Sequence, residues 1–310
     1  METKLFVGVD VSKDSLDVAI GPQSDIITLS NDQNGVDALV KKLSRMDPEL
    51  TVFESTGGYE LLAASLLVEA GLAVVIVNPR QVRNFAKATG ILAKTDAIDA
   101  RVIARFAEAV KPDVRPLKDQ ATSDLTALVT RRRQIVEMIV AESNRLKLAN
   151  KRNKKDIKDH IRWLEKRLDK IETDIGKTIQ NSPIWRCKDN ILRSVPGIGP
   201  VTSATLICDL PELGVLSSKK IAMLAGLAPL NCDSGKYKGR RRIWGGRASV
   251  RSGLYMATIA AIRCNPAIKE FYQRLIAAGK CHKVAATACM RKLLIIVNAM
   301  LRDQTLWQQN

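Results

Sequence analysis

The feature that most constrains the fold is a series of short apolar runs within residues 1–110. Three runs come first, at Leu5–Val9, Leu16–Ile20 and Ile26–Leu29, and their length and composition are typical of strands. After them, segments with helical spacing alternate with further short runs. Helices are predicted at Val36–Leu43 and Leu61–Ala70, and strands at Thr51–Phe53 and Ala73–Val77. This order of elements predicts an α/β layer fold.

Residues 113–182 have a different pattern, which indicates long helices. Two prolines in Val110–Pro116 stop the preceding helix and separate this segment from the first. In its second half, apolar residues recur at the heptad spacing of a coiled coil. These residues are Ile157, Ile161, Leu164, Leu168, Ile171 and Ile175, with a weaker series at Leu125, Leu128, Ile135 and Ile139. The segment is predicted to be an antiparallel helical pair or a coiled-coil stalk, with a turn at Asn150–Lys155.

Residues 183–310 predict a mostly α-helical domain, so that the expected domains are 1–112, 113–182 and 183–310. Helical apolar patterns lie at Ile221–Leu227, Leu254–Ile262 and Leu293–Leu301. Near the start, Ser194–Thr202 has the pattern of a helix-hairpin-helix. Its glycines, Gly197 and Gly199, let backbone N–H groups approach a phosphate, and the next helix N-terminus also favours an anion. Sequence-independent DNA contact is expected here, with a packing turn as the alternative.

Charge is segregated along the chain, whose net charge is +17. Residues 1–110 hold 11 Lys+Arg against 15 Asp+Glu, whereas residues 181–310 hold 20 against 6. An excess of this size at one end is expected of a surface that faces polyphosphate. Because solubility alone does not require segregation, nucleic acid is the favoured partner.

Composition disfavours several classes of protein. No stretch approaches the length of a membrane span, and the start of the chain leads into a strand rather than a signal peptide. The six cysteines include no CxxC pair and the chain has two histidines, so a zinc site lacks a ligand set. A soluble intracellular protein without membrane contact is expected.

Four carboxylates lie where a metal site needs them. Asp10 ends the first strand and Glu54 ends the fourth, and carboxylates at strand ends point into the crevice at the edge of an α/β sheet. Asp96 and Asp99 are three residues apart, so they share one face of a helix. Four such groups repel one another unless cations bind them, and Mg²⁺ is the obvious candidate. Taken singly, each also fits a turn cap, a surface charge or an early-helix acid.

The densest basic stretch lies in the C-terminal part of the chain. Between Lys236 and Arg251 there are seven basic residues and no acid. The candidate nucleic-acid ligands are Lys236, Lys238, Arg240, Arg241, Arg242, Arg247 and Arg251. Tyr237 and Trp244 are available to pack on sugar or base. Ser234 begins the stretch, and spacing alone favours a turn residue there, because a serine hydroxyl is a weak nucleophile unless a base or metal activates it.

Together these motifs resemble the insertion-sequence 110 family of transposases. The motifs that resemble its DEDD domain are Phe6–Lys13, Glu54–Tyr59, Asn78–Arg80 and Lys94–Arg101. Those that resemble its C-terminal transposase domain are Val195–Gly199, Ala225–Pro229 and the stretch from Asp233 to Met256. The motifs occur in the family's order and cover nearly the whole chain.

The resemblance implies a RuvC-like fold of the ribonuclease H type for the first domain, whose element order agrees by fold analogy. It maps an acidic quartet that binds Mg²⁺, with Mn²⁺ as a substitute, to Asp10, Glu54, Asp96 and Asp99. It also implies that Ser234 is the nucleophile, which attacks a DNA phosphodiester and becomes covalently joined to DNA. The helical segment would then set the spacing between the acidic and serine domains.

The resemblance also implies the partners. These are donor and target DNA and a structured guide RNA, the bridge RNA, which comes from the element's own ends and supplies specificity by base pairing. A homo-oligomer, either a dimer or a tetramer, is expected from the heptad pattern and from the need to hold two DNA partners. The expected location is the bacterial cytoplasm, at the nucleoid.

Other functions stay open. Related site-specific invertases share these domains, so transposition and inversion are not separated. A hydrolytic nuclease of the junction-resolvase kind would use the four carboxylates and leave Ser234 idle. An actin-like or sugar-kinase ATPase also begins with a strand that ends in Asp, but it needs a Gly-Thr-type phosphate loop where Val11–Lys13 stands here. A non-catalytic scaffold explains the charge but not the acidic quartet.

Overall fold

The apolar runs at the start of the chain form one mixed sheet. The computed structural model describes residues 4–91, 96–114, 119–231, 233–234, 237–239 and 241–308, without the side chains of 96–98 and 238. The strands are β1 (Phe6–Val11), β2 (Ser15–Ile20), β3 (Ile26–Ser30), β4 (Leu50–Glu54) and β5 (Val74–Val77). Their order is β3-β2-β1-β4-β5, in which β1, β2 and β3 pair antiparallel and β1, β4 and β5 pair parallel. The predicted strands of residues 1–110 are confirmed.

Helices cover both faces of this sheet. They are α1 (Gln33–Met46), α2 (Leu61–Glu69), α3 (Pro79–Ala88) and α4 (Asp96–Val110). Because side chains alternate along a strand, Val7 and Val9 pack with α1 and α2, whereas Phe6 and Val52 pack with α3 and α4. Burial on both faces explains why the central strands are continuous apolar runs. The mixed α/β prediction for this region is confirmed.

Helix α4 crosses β1 at Gly8, at a separation that no larger residue allows. A Cβ atom built on Gly8 would lie 2.3 Å from the backbone nitrogen of Ala104 and 2.4 Å from the backbone oxygen of Ala100. On the helix side, Ala100 and Ala104 are both fully buried and pack with Ala19 of β2. Small residues on both sides therefore fix the position of α4 over the sheet.

The chain divides into two compact units, Met1–Leu117 and Lys118–Asn310. The predicted boundary at residue 112 lies close to this division, whereas the predicted boundary at residue 182 lies inside the second unit. The three-domain assignment stays a prediction.

The second unit begins with two long helices, α5 (Gln120–Leu148) and α6 (Lys154–Asn181). Arg132 pairs with Glu172 at 2.6 Å, and Glu142 pairs with His160 at 3.4 Å. Because partner numbers fall along α6 as they rise along α5, the two helices are antiparallel. The helical pair is therefore confirmed, whereas its roles as a stalk and in oligomerisation stay predictions.

The rest of the second unit is mostly helical, as predicted. Its helices are α7 (Pro183–Ser194), α8 (Pro200–Asp209), α9 (Ser218–Leu224), α10 (Ala248–Cys264), α11 (Pro266–Ala277) and α12 (His282–Asp303). They share one core, in which Leu206, Leu254 and Leu293 pack with Leu125 of α5 and Ile179 of α6. Between α9 and α10 lie four two-residue strands that the sequence analysis did not predict. They are β6 (Pro229–Leu230), β7 (Asp233–Ser234), β8 (Tyr237–Lys238) and β9 (Arg242–Ile243).

Helix α12 corrects one expectation from the sequence. It has 22 residues and a mean hydropathy of 1.6, so by length and composition it is able to cross a membrane. The prediction that no stretch approaches the length of a membrane span was therefore wrong. In the structure, 56% of the apolar window is buried inside the chain, with Leu293, Val297 and Leu301 in the core. This position favours a core helix.

We expect Gly8→Ala to destabilise the first unit, because the added Cβ would overlap the backbone of α4. Overpacking of this kind costs ~1–3 kcal/mol. The measurement is the free energy of unfolding in urea. Gly176→Ala is the matched control, since a Cβ at Gly176 in α6 meets nothing within 4 Å. This control should be neutral or stabilising by up to ~1 kcal/mol. Equal stabilities of the two variants would contradict the close crossing.

Candidate functional site

Asp10 and Glu54 lie side by side at one edge of the sheet. The parallel register of β1 and β4 pairs Val9 with Phe53, and Asp10 and Glu54 are the next residues on each strand. Both side chains are partly buried. The carboxyl ends of adjacent parallel strands therefore bring these two carboxylates to the same place, as the sequence predicted.

Both carboxylates belong to the face of the sheet that α4 covers. Side chains alternate along a strand, so Asp10 shares its face with Gly8, on which α4 packs. Glu54 shares its face with Val52, which packs with α3 and α4. The start of α4 is the element that can supply the remaining ligands.

The direction of α4 places its first turn at the Asp10 end of β1. Near the end of the helix, Val110 is followed by Lys111, whose ammonium lies 5.4 Å from the ring centroid of Phe6 at the start of β1. Two residues further along β1, Gly8 packs against Ala100 and Ala104 of α4. The helix therefore runs antiparallel to β1, and Asp99, which is partly buried, lies toward Asp10.

Asp96 is the first residue of α4, one turn before Asp99, but its side chain lies outside the described part of the structure. Among the side chains that are described, no group of three or more His, Cys, Asp or Glu residues is close enough to hold a metal ion. The oxygen donors of Asp10, Glu54 and Asp99 are nevertheless of the kind that Mg²⁺ prefers. The structure brings the elements that carry the quartet to one edge, and the metal stays a prediction.

Asn31, which the sequence analysis missed, links the loops that follow the two carboxylate strands. Its side-chain nitrogen donates to the carbonyl of Ser12, just beyond β1, at 2.9 Å, and to the carbonyl of Tyr59, beyond β4, at 3.1 Å. These partners are 19 and 28 residues away in the sequence. No local pattern identifies such a residue, because its contacts exist only after the sheet has formed.

Glu60 was also not selected, and it organises the loop directly after Glu54. Glu60 is 4% exposed, and its side chain accepts hydrogen bonds from the Ser55 hydroxyl at 3.1 Å and the Thr56 hydroxyl at 3.0 Å. The backbone N–H groups of Thr56 and Gly58 donate to the same carboxylate, at 3.2 and 2.8 Å. Burial raises the pKa of Glu60, but hydrogen bonds from the backbone of Glu60, Gly58 and Thr56 lower it by more, so this pKa lies below its usual value. The cluster of Ser, Thr and Gly before a Glu was the available signal.

Ser234 lies on an exposed hairpin in the second unit. Near its base β6 pairs antiparallel with β9, and nearer its tip β7 pairs antiparallel with β8, with Ser234 opposite Tyr237. Ser234, Tyr237 and Trp244 are all exposed, the last two by 67% and 70%. The neighbouring Asp233 accepts a hydrogen bond from the backbone N–H of Gly239 at 3.1 Å. The hairpin therefore presents the serine hydroxyl to solvent, and Asp233 stabilises the backbone.

Two of the arginines predicted to contact nucleic acid hold the base of this hairpin. Arg247 forms a bidentate ion pair with Glu212, at 2.5 and 2.6 Å, and donates to the carbonyl of Asp209 at 3.0 Å. Arg251 donates to the carbonyl of Gly245 at 2.7 Å. A bidentate guanidinium–carboxylate pair combines strength with fixed geometry. These two residues have a structural role here, and their contact with nucleic acid stays a prediction.

The other candidate ligands differ in what is described. Arg241, directly before β9, and Arg242, its first residue, are exposed. Lys236 and Arg240 lie outside the described residues, and Lys238 is described only by its backbone in β8. Among the arginines of this stretch that the structure describes, Arg241 and Arg242 are therefore the exposed ones.

The loop between α7 and α8 uses its two glycines differently. Gly197 has a φ of 104°, and a Cβ built on it would lie 2.6 Å from the Cβ of Ala261 in α10. A Cβ on Gly199 meets nothing within 4 Å, and Gly199 precedes the first residue of α8. Gly197 thus serves packing inside the unit, whereas the side of Gly199 is open. Contact of either backbone with phosphate stays a prediction.

Two transposase family models match this chain. One, described as a transposase and built on the DEDD domain of IS110 elements, matches residues 7–149, which include the sheet and α4. The other, described as the IS116/IS110/IS902 transposase family, matches residues 189–273, which include the Ser234 hairpin. The two matches therefore cover the two regions that carry the candidate residues.

Individual proteins are similar over different lengths. The pilin gene-inverting protein of Moraxella lacunata is 28% identical over 311 residues, which cover 97% of both chains. A 43.6 kDa protein of insertion element IS110 from Streptomyces coelicolor is 28% identical over 44% of this chain and 34% of its own length. A 42 kDa protein of insertion element IS900 from Mycobacterium paratuberculosis is 30% identical over 46% of this chain and 38% of its own.

We expect Glu60→Gln to lower the free energy of unfolding at neutral pH by ~1–3 kcal/mol, because an NH₂ group replaces one of two buried carboxylate oxygens that accept hydrogen bonds. The depressed pKa of Glu60 gives stability that is present above the unfolded value of 4.5 and is lost as pH falls. Urea titrations at a series of pH values should show that the free energy of unfolding falls less with falling pH in the variant than in the wild type. Glu69→Gln, at an exposed position of α2, is the control. If both variants have the same pH dependence, Glu60 has no such role.

Proposed function

This chain belongs to the IS110 family of DNA transposases and recombinases, and on that premise we propose that it cuts and rejoins DNA through a covalent Ser234–DNA intermediate. The reaction uses an acidic quartet in the first unit, formed by Asp10, Glu54, Asp96 and Asp99. Its substrates are the ends of an insertion element and a target DNA. The protein acts in the bacterial cytoplasm, at the nucleoid.

The observation that carries the proposal is the convergence of three acidic elements at one sheet edge. Asp10 and Glu54 end adjacent parallel strands on the same face, and α4 runs antiparallel to β1 on that face with Asp99 in its first turns. The strand order with three antiparallel strands followed by two parallel ones supports a RuvC-like fold, by analogy. When bound at these carboxylates, Mg²⁺ supplies charge that stabilises a phosphoryl group and favours deprotonation of a hydroxyl.

The exposed hairpin supports the role of Ser234. In the reaction the Ser234 Oγ forms a bond to phosphorus, and the bond from phosphorus to one deoxyribose oxygen breaks. The hydroxyl gives up its proton, and the departing deoxyribose oxygen takes one up. Attack by the hydroxyl of a new DNA partner reverses these steps and frees the serine. Since the number of phosphoester bonds is unchanged, rejoining needs no further energy source.

Positioning and charge stabilisation dominate catalysis of phosphoryl transfer. Arg241 and Arg242, which are exposed at the start of β9 in the hairpin that carries Ser234, then bind the phosphate backbone. The fixed base formed by Arg247 and Glu212 keeps the hairpin, and with it the serine, in a defined orientation. Removal of the Arg247–Glu212 pair would therefore reduce activity without altering the nucleophile.

A structured guide RNA is part of the proposal through the family resemblance. The surplus of basic residues, +14 in residues 181–310, is compatible with a protein that holds RNA as well as DNA. Base pairing then supplies sequence specificity, and the protein contacts mainly backbone and shape. A homo-oligomer, a dimer or a tetramer, holds the two DNA partners.

Site-specific inversion is the second candidate function. The observation in its favour is the match to the Moraxella pilin gene-inverting protein over 97% of both chains, against partial matches to the insertion-element proteins. A plasmid that carries two recombination sites in inverted orientation distinguishes the two: an inverted segment between intact sites indicates inversion, and new insertions elsewhere indicate transposition.

We expect a covalent protein–DNA adduct when the protein is incubated with element-junction DNA, end-encoded RNA and Mg²⁺. A denaturing gel with peptide mapping should locate the DNA on Ser234. Ser234→Ala and Asp10→Ala should form no adduct, whereas Ser218→Ala, at an exposed position of α9, should form it at the wild-type level. Chelation of Mg²⁺ should abolish the adduct. Cleaved DNA without any adduct would instead indicate a hydrolytic nuclease.

We also expect the two catalytic regions to act across subunits. A mixture of Ser234→Ala and Asp10→Ala proteins, each inactive alone, should then recover about a quarter of the wild-type sites in a randomly mixed dimer. The measurement is adduct formation after co-expression of the two variants. Complete inactivity of the mixed oligomer would mean that each chain is self-contained.

A further inference from the structure

We propose that a groove between α5 and α6 binds an unpaired nucleotide of a single-stranded nucleic-acid segment. The groove encloses about 340 Å³, within the ~300–1,000 Å³ typical of ligand sites. Isoleucines, an exposed tryptophan and three cations line it together. None of the residues that line the groove belongs to the proposed acidic quartet or to the Ser234 hairpin. The inference does not depend on the serine chemistry.

The floor and one wall of the groove suit a base. Ile135, 2% exposed, and the partly buried Ile171 give an apolar floor. Trp163 is 50% exposed, and the guanidinium of Arg167 lies 5.1 Å from its ring centroid. Unstacked bases in single strands stack on aromatic rings and on arginine planes. The indole and the guanidinium together provide that surface.

The rim of the groove suits phosphate. Arg131, Arg167 and Lys170 contribute three positive charges, and Asp174 contributes one negative charge. None of these three cations belongs to the ion pairs found among the described side chains, although Arg132 and Arg162, on the same helices, do. Their charge is therefore available to a ligand. Cations beside a stacking platform are the combination that single-strand binding sites use.

A second copy of the chain fits this groove less well. Closed homodimers bury the same patch on both subunits. A two-fold contact centred on the groove would bring Arg131, Arg167 and Lys170 close to their own counterparts, and like charges placed together disfavour association. The apolar heptad residues Leu164 and Ile175 are already buried. Charge complementarity thus favours a polyanion.

The test measures binding without reaction. Full-length protein in Mg²⁺-free buffer is titrated into fluorescein-labelled probes of about 20 nucleotides, as single-stranded RNA, single-stranded DNA of the same sequence, and the duplex. The variants are Trp163→Leu, which removes the aromatic surface, and Arg167→Gln, which removes one cation. Lys166→Gln, an exposed neighbour that does not line the groove, is the matched control. Circular dichroism checks that each variant is folded, and sedimentation gives its oligomeric state.

Trp163→Leu should weaken binding of a single strand about fivefold or more, the loss expected for one stacked base. The slope of log affinity against log salt for this variant should equal that of the wild type. Arg167→Gln should weaken binding and also reduce the slope of log affinity against log salt by about 0.7, the value for one phosphate contact on a single strand. The duplex, whose bases are not available, should bind all variants alike. Selective loss with RNA or with DNA identifies which strand occupies the groove.

Three results would overturn the proposal. One is wild-type affinity of Trp163→Leu for both single strands. Another is an equal loss on duplex and single strands, which would indicate a general charge effect. The third is a change of oligomeric state in the folded variants, which would make the groove a protein–protein surface. Because no strand is cut in this assay, failure here leaves the Ser234 adduct experiment unaffected.

Discussion

The close crossing of α4 over β1 at Gly8 is the constraint on which the first unit depends. Absence of a side chain lets the helix backbone reach the strand, and the alanines on the other side keep the separation small. The helix axis is thereby fixed relative to the strand that carries Asp10. Since Asp99 lies one residue before Ala100, the position of a carboxylate on the helix is set by the same contact. An apolar packing detail thus determines where the candidate carboxylates of the helix and the strand lie relative to one another.

The sheet edge of the first unit and the hairpin of the second unit differ in how they present their candidate residues. In the first unit, strand ends position the candidate carboxylates Asp10 and Glu54, and hydrogen bonds of Asn31 and Glu60 order the loops that follow them. The proposed nucleophile, Ser234, must instead be accessible to a large polyanion, and the second unit exposes it on a hairpin. The Arg247–Glu212 pair holds the base of that hairpin while its outer residues stay open to solvent. In both regions, hydrogen bonds or ion pairs of neighbouring side chains fix the backbone around the candidate residues.

The sequence predicts features that depend on a periodic apolar pattern or on residues adjacent in the chain. Strands, helices and the antiparallel pair follow from apolar periodicity, and Asp10 and Glu54 follow from their places at strand ends. Asn31 could not be found in this way, because its partners are 19 and 28 residues distant. The two-residue strands of the hairpin were missed, since each is too short to show an apolar alternation. Arg247 was counted with the surface cations because its partner, Glu212, is 35 residues earlier.

The hairpin has a consequence for how such a protein diversifies. Among the described residues, contacts at its base include Arg247 with Glu212 and Asp209, and Arg251 with Gly245. Exposed positions such as Arg241, Arg242 and Trp244 contribute nothing to the core. Substitutions there carry little penalty in folding, so natural variation can explore new surfaces at these positions. Relatives with a common scaffold are therefore able to diverge in what they contact while each retains the same folded frame.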